Sequence, residues 1–190
     1  MFKPLALLLA AGFACAAPPF SAEPRVEIAR EMGELNYLYI AYGPNTFTLV
    51  PPRDWARHAF AQSARLRFCP PDGYVYLDVQ FRTNELQSVL GTADGPRQLA
   101  APHLTSATVA EEFQPGTSEG RTVIYRHSLN GRPMRTRLSI VGFEGGCASF
   151  VLTCGADEFK VYEPLVSAAQ ASFQCKTPPM RRGEISGIKP

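Results

Sequence analysis

TVIYRHSLNGRPMRTRLSIV, residues 122–141, is the stretch that decides the fold of this sequence. At its centre, Asn130-Gly131 supplies the two left-handed positions of a type I′ turn between two runs of strand-forming residues. A two-residue loop also fixes the register of the strands that it joins. The stretch therefore predicts an antiparallel hairpin with four facing pairs: His127 and Met134, Arg126 and Arg135, Tyr125 and Thr136, and Val123 and Leu138.

This register gives the hairpin an apolar face and a basic face. Five residues share the apolar face, which we expect in the core: Val123, Tyr125, His127, Met134 and Leu138. Arg126, Arg135 and Arg137 share the other face. Like charges on one sheet face are mildly destabilising unless water or an anion matches them. The three arginines are therefore candidate binding residues for an acidic partner or a small anionic ligand, with a solvated outer face as the alternative.

Five more segments carry the apolar and aromatic patterns of strands, bounded by turn residues. They are residues 35–42, 47–50, 65–69, 74–81 and 147–153. The last continues the hairpin as the third strand of a meander. A two-residue loop and a three-residue loop before it would place Phe150 on opposite faces, so its facing stays open. Residues 23–30 fit either a loose arm or an edge strand.

A helix is expected after the meander, where Pro164 suits the first helical position. Apolar and small residues then recur at helical spacing: Leu165, Ala168, Ala169, Ser172 and Phe173. Residues 84–90 could form a second, short helix. Together with the strands, this predicts an α+β fold, in which an antiparallel sheet with a meander near the C-terminus is flanked by helices.

The first residues have the pattern of a secretory signal peptide. Lys3 precedes an apolar run over residues 5–13, and the small residues Ala14 and Ala16 follow. The run is shorter than the roughly 20 residues that a membrane-spanning helix needs. We expect cleavage after Ala16, with a cut after Ala22 as an alternative.

Cys15 raises the alternative of a lipoprotein, in which this cysteine would carry a lipid anchor. The preceding Gly12-Phe13-Ala14 fits that signal poorly. After a signal peptide at residues 1–16, we expect an N-terminal arm at 17–34, a single α+β domain at 35–175 and a disordered basic tail at 176–190.

Four cysteines remain after the signal peptide: Cys69, Cys147, Cys154 and Cys175. An even number in an exported chain indicates two disulfides. Cys147 and Cys154 would end one strand about 20 Å apart, beyond the reach of a disulfide. Cys147 with Cys175 and Cys69 with Cys154 is the first choice, and pairing of Cys154 with Cys175 stays open. The spacing does not suit a zinc site.

Charge and motifs point away from several classes of function. A formal net charge of +2 predicts neither a nucleic-acid partner nor general adhesion to anionic lipid. The sequence contains no nucleophile elbow, zinc-protease motif, phosphate loop or dinucleotide fingerprint. His58, His103 and His127 are the candidate catalytic bases, but His127 alternates with core residues, which favours a structural role.

The order of landmarks along the chain is a pattern in itself. FTLV at residues 47–50 leads to Pro51-x-x-x-Trp55, YVYLDVQ follows at residues 74–80, and AAQASF at residues 168–173 closes the last helix. This order resembles the PsbP-like family of the extrinsic photosystem II subunit and bacterial DcrB-type envelope proteins. The resemblance implies a PsbP-like α/β/α sandwich and a role in assembly, binding or accessory support, and it brings no catalytic residues.

The sequence thus predicts an exported binding or accessory protein of the bacterial envelope, periplasmic or secreted, with no cofactor and no metal. Its partner would be a protein or a small anionic ligand, and the balance leans away from an enzyme. Two alternatives stay open: a small periplasmic hydrolase with a dispersed site, and a secretion-associated chaperone or immunity protein.

Overall fold

The structure, a computed structural model, describes residues 19–29, 33–71, 75–83, 104, 108–113 and 120–176. Within these ranges the chain forms strands, one α-helix and a 3-10 turn at Ala61–Ser63. In chain order, the elements are β1 (Phe20–Ala29), β2 (Gly33–Tyr42), β3 (Asn45–Leu49), β4 (Ala56–Phe60), β5 (Arg65–Cys69), β6 (Tyr76–Arg82), β7 (Thr108–Phe113), β8 (Gly120–Leu129), β9 (Arg132–Phe143), β10 (Gly146–Gly155), α1 (Phe159–Ala171) and β11 (Gln174–Lys176).

The strands form two antiparallel sheets. The small sheet has the order β1-β2-β3-β11, and the large sheet has the order β4-β5-β6-β10-β9-β8-β7. Strands β8, β9 and β10 are the predicted meander. Strand β6 pairs with β10, so a strand from the first half of the chain lies beside the meander. The segment that the sequence left open as an arm or an edge strand is an edge strand, β1.

The hairpin of β8 and β9 forms as predicted. Asn130 and Gly131 have φ angles of 52° and 78°, as a type I′ turn requires, and all four predicted facing pairs occur. A two-residue loop also joins β9 to β10, because Phe143 pairs with Gly146. This register turns Phe150 toward the main core.

The main core lies between the two sheets and α1. Phe47 is fully buried, and its ring centroid lies 4.8 Å from Phe143, 5.1 Å from Phe81 and 5.2 Å from Phe173. Phe173 also meets Phe150 at 5.4 Å. Each such aromatic pair contributes about 0.5–1.5 kcal/mol beyond its buried area. The chain just after α1 is thereby held against both sheets.

A second apolar cluster covers the opposite face of the large sheet. Its members are Leu104, Val123, Tyr125, Leu138, Ile140, Cys147 and Val151. Three of them belong to the predicted apolar face of the hairpin, which confirms its burial. Across β8, β9 and β10, the large sheet therefore buries side chains on both faces.

Helix α1 begins at Phe159 rather than at Pro164, which lies inside the helix. The earlier start changes the buried stripe to Phe159, Val166 and Ala169, while the predicted Leu165 is 42% exposed. Tyr162 is half-buried beside this stripe, and its ring meets that of Trp55 at 5.7 Å. The buried residues recur at i, i+3, i+7 and i+10, which is one face of a helix.

The fold class is confirmed as α+β with antiparallel strands, but the helix-flanked sandwich is only partly matched. Most of the described chain is sheet, divided into two sheets rather than one, with one helix among the described residues. The predicted short helix at residues 84–90 lies outside the described ranges. In the part of the chain that the structure describes, no helix is long and apolar enough to cross a membrane.

Candidate functional site

The three candidate arginines of the hairpin share one face, as predicted, but α1 packs on that face. Arg126 is exposed, and the guanidinium of Arg135 lies 5.3 Å from the ring centroid of Phe159. Arg137 is only 4% exposed. The structure therefore brings the three together without forming an open basic surface.

Arg137 is held by the inner side of α1. Its Nη2 donates to Gln170 Oε1 at 2.9 Å, and its Nε lies 3.5 Å from Glu163 Oε1. Burial lowers the pKa of Arg137, and the charge of Glu163 opposes that shift. Its Nη1 is shielded from solvent and makes no hydrogen bond within the described residues. This side chain anchors the helix to the sheet.

His58 and His127, the two candidate histidines among the described residues, lie on separate strands of the large sheet, β4 and β8. His58 is exposed on β4, opposite Arg67. His127 Nε2 lies 3.0 Å from Thr136 Oγ1, which in turn lies 3.0 Å from Thr153 Oγ1. Thr136 is completely buried, so its hydroxyl stabilises the sheet and cannot meet a substrate. Residue 103 lies outside the described ranges.

The structure forms neither predicted disulfide. Cys69 and Cys154 stand two strands apart, about 10 Å, with β6 between them. They also point to opposite faces, because Phe68, Leu77 and Leu152 align across the three strands toward the main core. A disulfide needs Cα atoms within about 7 Å.

The other predicted pair, Cys147 and Cys175, is separated by the large sheet. Cys147 lies in the second apolar cluster, whereas Cys175 is exposed on β11 of the small sheet. In the alternative pairing, Cys154 lies in the main core on β10 of the large sheet, whereas Cys175 is exposed on β11 of the small sheet. The disulfide prediction was wrong because it assumed a single sheet, whereas the four cysteines are distributed over two sheets.

Burial makes the thiol of Cys154 unreactive, and we predict a marked contrast with Cys69. Burial, and then the charge of Glu158, raise the pKa of Cys154 to about 12. At pH 8 only about one thiol in ten thousand would be ionised at that pKa, and the thiolate is the nucleophile. In the reduced native protein, iodoacetamide should alkylate half-buried Cys69 at least about tenfold faster than Cys154. Peptide mass spectrometry over a time course measures both rates.

A denatured sample is the control for this measurement. In urea both cysteines should react at similar rates, because neither is then buried. Equal rates for Cys69 and Cys154 in the native protein would contradict the buried position of Cys154.

Two strongly exposed aliphatic side chains lie close together at the end of β1, where it pairs with the start of β2. We call residues 24–29 of β1 and 33–37 of β2 the distal hairpin. Ile28 is 78% exposed and Val26 is 60% exposed. Phe20 and Ala22, on the same side of β1, pack against the main core. The distal hairpin therefore extends past the core with its aliphatic side chains uncovered.

The other side of the distal hairpin borders a groove of about 230 Å³, which we call the hairpin groove. Glu27, Leu35 and Tyr37 line one side of it. Residues from β3, the end of α1 and β11 line the other: Thr48, Leu49, Val50, Ser172, Gln174 and Lys176. The groove combines apolar walls with charges of both signs and suits one or two side chains of a partner better than a whole metabolite.

Neighbouring contacts order this surface. The guanidinium of Arg25 lies 4.1 Å from the ring centroid of Tyr39, and Ser172 Oγ accepts a hydrogen bond from Val50 N at 2.9 Å. Half-buried tyrosines beside apolar walls are typical of protein interfaces. Sequence reasoning did not identify this site, although the alternation of Val26 and Ile28 with charged residues is its signal.

The described residues do not gather three or more His, Cys, Asp or Glu side chains into a group that could hold a metal ion. The features that the described residues do offer are exposed side chains and a groove. The distal hairpin and the hairpin groove lie next to each other on the small sheet.

Comparison with known proteins gives a likeness of fold. No protein-family model matches the chain, and no curated protein matches its sequence. The solution structure of PsbP (CyanoP) from Synechocystis sp. PCC 6803 is 14% identical, with a TM-score of 0.51 over 87% of this chain and 96% of that one.

Two further structures are similar at lower TM-scores. LpqN, involved in cell envelope biogenesis of Mycobacterium tuberculosis, is 12% identical with a TM-score of 0.48, over 83% of this chain and 91% of that one. A protein from Bacteroides thetaiotaomicron is 16% identical with a TM-score of 0.46, over 70% of this chain and 46% of that one. This chain thus spans less than half of the Bacteroides protein. By its likeness to CyanoP, the chain has a PsbP-like fold.

Proposed function

We propose that this chain is an exported accessory protein of the bacterial envelope, which binds a partner protein through the distal hairpin and the hairpin groove. The observation that carries the proposal is the exposure of Val26 and Ile28 on an edge strand. Large aliphatic side chains gathered on one exposed element are a common mark of an interaction site. The PsbP-like fold is consistent with an accessory role, and fold alone does not choose the partner.

The chemistry of this surface indicates what the partner presents. Val26 and Ile28 need an apolar recess, while the hairpin groove accepts a side chain of the partner beside Leu35 and Tyr37. The charges of Glu27 and Lys176 at the groove can pair with polar groups at the rim of the contact. A folded protein that contacts both sides of the distal hairpin could cover Val26 and Ile28 and also fill the hairpin groove.

Within this proposal, the position of β1 favours cleavage after Ala16 over a cut after Ala22. Pro19 O accepts a hydrogen bond from Gly43 N at 3.1 Å, and β1 begins at Phe20. The Phe20 ring meets that of Phe81 at 5.7 Å. Cleavage after Ala16 leaves all of these groups in the mature protein. A cut after Ala22 would remove the first three residues of β1 and the aromatic contact with them, so it is disfavoured.

Photocrosslinking tests this function. A benzoylphenylalanine placed at Ile28, in the cell that produces the protein, should crosslink to one main partner. The matched control is Val161, which is 65% exposed on the outer side of α1 and should give no such product. The double substitution Val26→Ser with Ile28→Ser should lower recovery of the complex at least about tenfold, since each buried aliphatic side chain contributes about 1.5–3 kcal/mol.

The same double variant should unfold at nearly the wild-type temperature, because surface substitutions away from the core usually change stability by about 0.5 kcal/mol or less. Equal crosslinking from positions 28 and 161, or an intact complex with the double variant, would remove the distal hairpin from the interface.

A further inference from the structure

A second charged surface lies on the large sheet, on the face opposite the main core. Strands β5 and β6 place three arginines there, with one carboxylate and one amide between them. We call this group the basic ladder; its members are Arg65, Arg67, Asp78, Gln80 and Arg82. Arg67 stands opposite Asp78, and Arg65 stands opposite Gln80. Arg82 follows Gln80 by two residues and therefore lies on the same face.

Within the basic ladder, a bidentate ion pair with Asp78 fixes the side chain of Arg67. Arg67 donates to Asp78 Oδ1 at 2.8 Å from Nε and to Oδ2 at 2.7 Å from Nη2. The carboxylate raises the pKa of Arg67 through this hydrogen bond. The Arg67 guanidinium also lies 4.2 Å from the ring centroid of Tyr76. Its orientation is therefore set by two partners.

The other two arginines of the basic ladder, Arg65 and Arg82, are less fully paired than Arg67. Arg65 lies 4.4 Å from the ring centroid of Phe60, and its Nη1 is 4.0 Å from the already paired Asp78 Oδ2. Arg82 donates from Nη2 to Gln80 Oε1 at 3.3 Å. The Nε atoms of Arg65 and Arg82 are shielded from solvent and make no hydrogen bond within the described chain.

The charges of the basic ladder do not cancel. Three guanidinium groups and one carboxylate leave a net charge of +2 on neighbouring positions of two paired strands. The Cα atoms of Arg65 and Arg82 are diagonal neighbours, about 7–8 Å apart. Such like charges repel one another unless an anion lies between them. The side chains of Arg65 and Arg67 are 32% and 31% exposed, so a ligand can reach them from solvent.

We propose that the basic ladder binds the phosphoryl group of a small ligand or lipid headgroup. A phosphate monoester carries about −1.5 to −2 charges at neutral pH, which matches the net charge of +2. Arginine presents its N–H groups as a planar fork that fits phosphate oxygens. The aromatic rings of Phe60 and Tyr76 hold two of the forks in place before the ligand arrives, so less side-chain entropy is lost on binding.

Titration with inorganic phosphate tests this site. Isothermal calorimetry at low ionic strength should give saturable binding with a Kd of about 1 mM or tighter, equivalent to about −4 kcal/mol. Arg65→Gln with Arg82→Gln should weaken binding at least about tenfold, because both partly paired cations are removed. Arg57→Gln, an exposed arginine of β4 on the opposite face of the large sheet, is the matched control and should bind as the wild type does.

Asp78→Asn provides a change in the opposite direction. Removing the carboxylate raises the net charge to +3 and frees the N–H groups of Arg67, so phosphate should bind at least about threefold tighter. A weaker affinity for this variant, with the protein still folded, would contradict the proposal.

Vesicles distinguish the source of the phosphoryl group. Retention on phosphatidic acid vesicles over phosphatidylcholine vesicles, with the same loss in the Arg65→Gln, Arg82→Gln variant, would identify a lipid headgroup. Phosphate binding without vesicle binding would identify a soluble ligand. Binding of neither probe, or binding that the double variant leaves unchanged, overturns the proposal.

Discussion

Gly146→Ala should lower the free energy of unfolding by about 3 kcal/mol or more, because an added Cβ has no space at the first residue of β10. It would stand 2.1 Å from Arg82 O, a backbone atom of β6. Two ring atoms of Phe143 would lie at 2.8 and 2.9 Å. Neither neighbour can move easily, since β6 pairs with β10 along the sheet and the Phe143 ring packs on Phe47.

Gly155→Ala is the matched control at the last residue of the same strand. There the added Cβ would meet the ends of three flexible side chains at 2.6–2.8 Å: Glu158, Arg132 and Asp157. These can swing into solvent, at the cost of the partly exposed ion pair of Arg132 with Glu158, which is worth about 0–1 kcal/mol. Urea denaturation of both variants measures the contrast. Equal losses would mean that the close approach of β6 to Gly146 is wrong.

Local chemistry explains what the sequence predicted well. The Asn130-Gly131 turn fixes its own strands, so the hairpin register and its buried face followed from adjacent residues. The strand expected over residues 74–81 likewise forms as β6, whose Leu77, Val79 and Phe81 lie in the core. The order of landmarks along the chain predicted a PsbP-like fold, and the similarity to the fold of CyanoP confirms this resemblance.

Contacts between distant segments explain what the sequence could not predict. The division into two sheets depends on β6 pairing with β10 and β11 pairing with β3, and no local pattern specifies either. The face of α1 was only partly right: Ala169 and Phe173 pack in the main core, whereas Leu165 is exposed, because both sides of that helix carry apolar residues.

The candidate sites show the same division. The arginines of the hairpin were correctly placed on one face, but the sequence did not show that α1 would cover Arg137. For residues 23–30 the sequence allows either a loose arm or an edge strand, since the exposure of Ile28 depends on where the core ends. The basic ladder spans the paired strands β5 and β6, and its arginines alternate with buried residues in a pattern that is also typical of an ordinary solvated face.

The buried arginine leads to an asymmetric prediction for its two partners. Glu163→Ala should lower the free energy of unfolding by about 1–3 kcal/mol, whereas Arg137→Met should change it by less than about 1 kcal/mol or raise it. Removing the carboxylate leaves a cation that is 4% exposed without its nearest opposite charge. Removing one partner of a fully buried ion pair costs about 3–5 kcal/mol. The cost is smaller here, because the Glu163 side chain is 31% exposed and water already screens the pair.

Removing the cation has a different consequence, because the groups left behind can find other partners. Glu163 Oε1 keeps its hydrogen bond from Ser167 Oγ at 2.9 Å, and half-buried Gln170 can turn toward water. The methionine fills much of the volume of the arginine stem and needs no hydrogen bond. Arg137→Met therefore removes a desolvated charge and leaves no unpaired buried group.

The double variant Arg137→Met, Glu163→Ala separates this explanation from a simple loss of helix contacts. If the unpaired cation causes the damage, the double variant should recover most of the stability lost in Glu163→Ala, and a double-mutant cycle from urea denaturation would give the coupling. Glu144→Ala, at an exposed carboxylate in the β9–β10 loop, should change stability by about 0.5 kcal/mol or less. A double variant as unstable as Glu163→Ala would mean that α1 depends on Glu163 for packing rather than for charge.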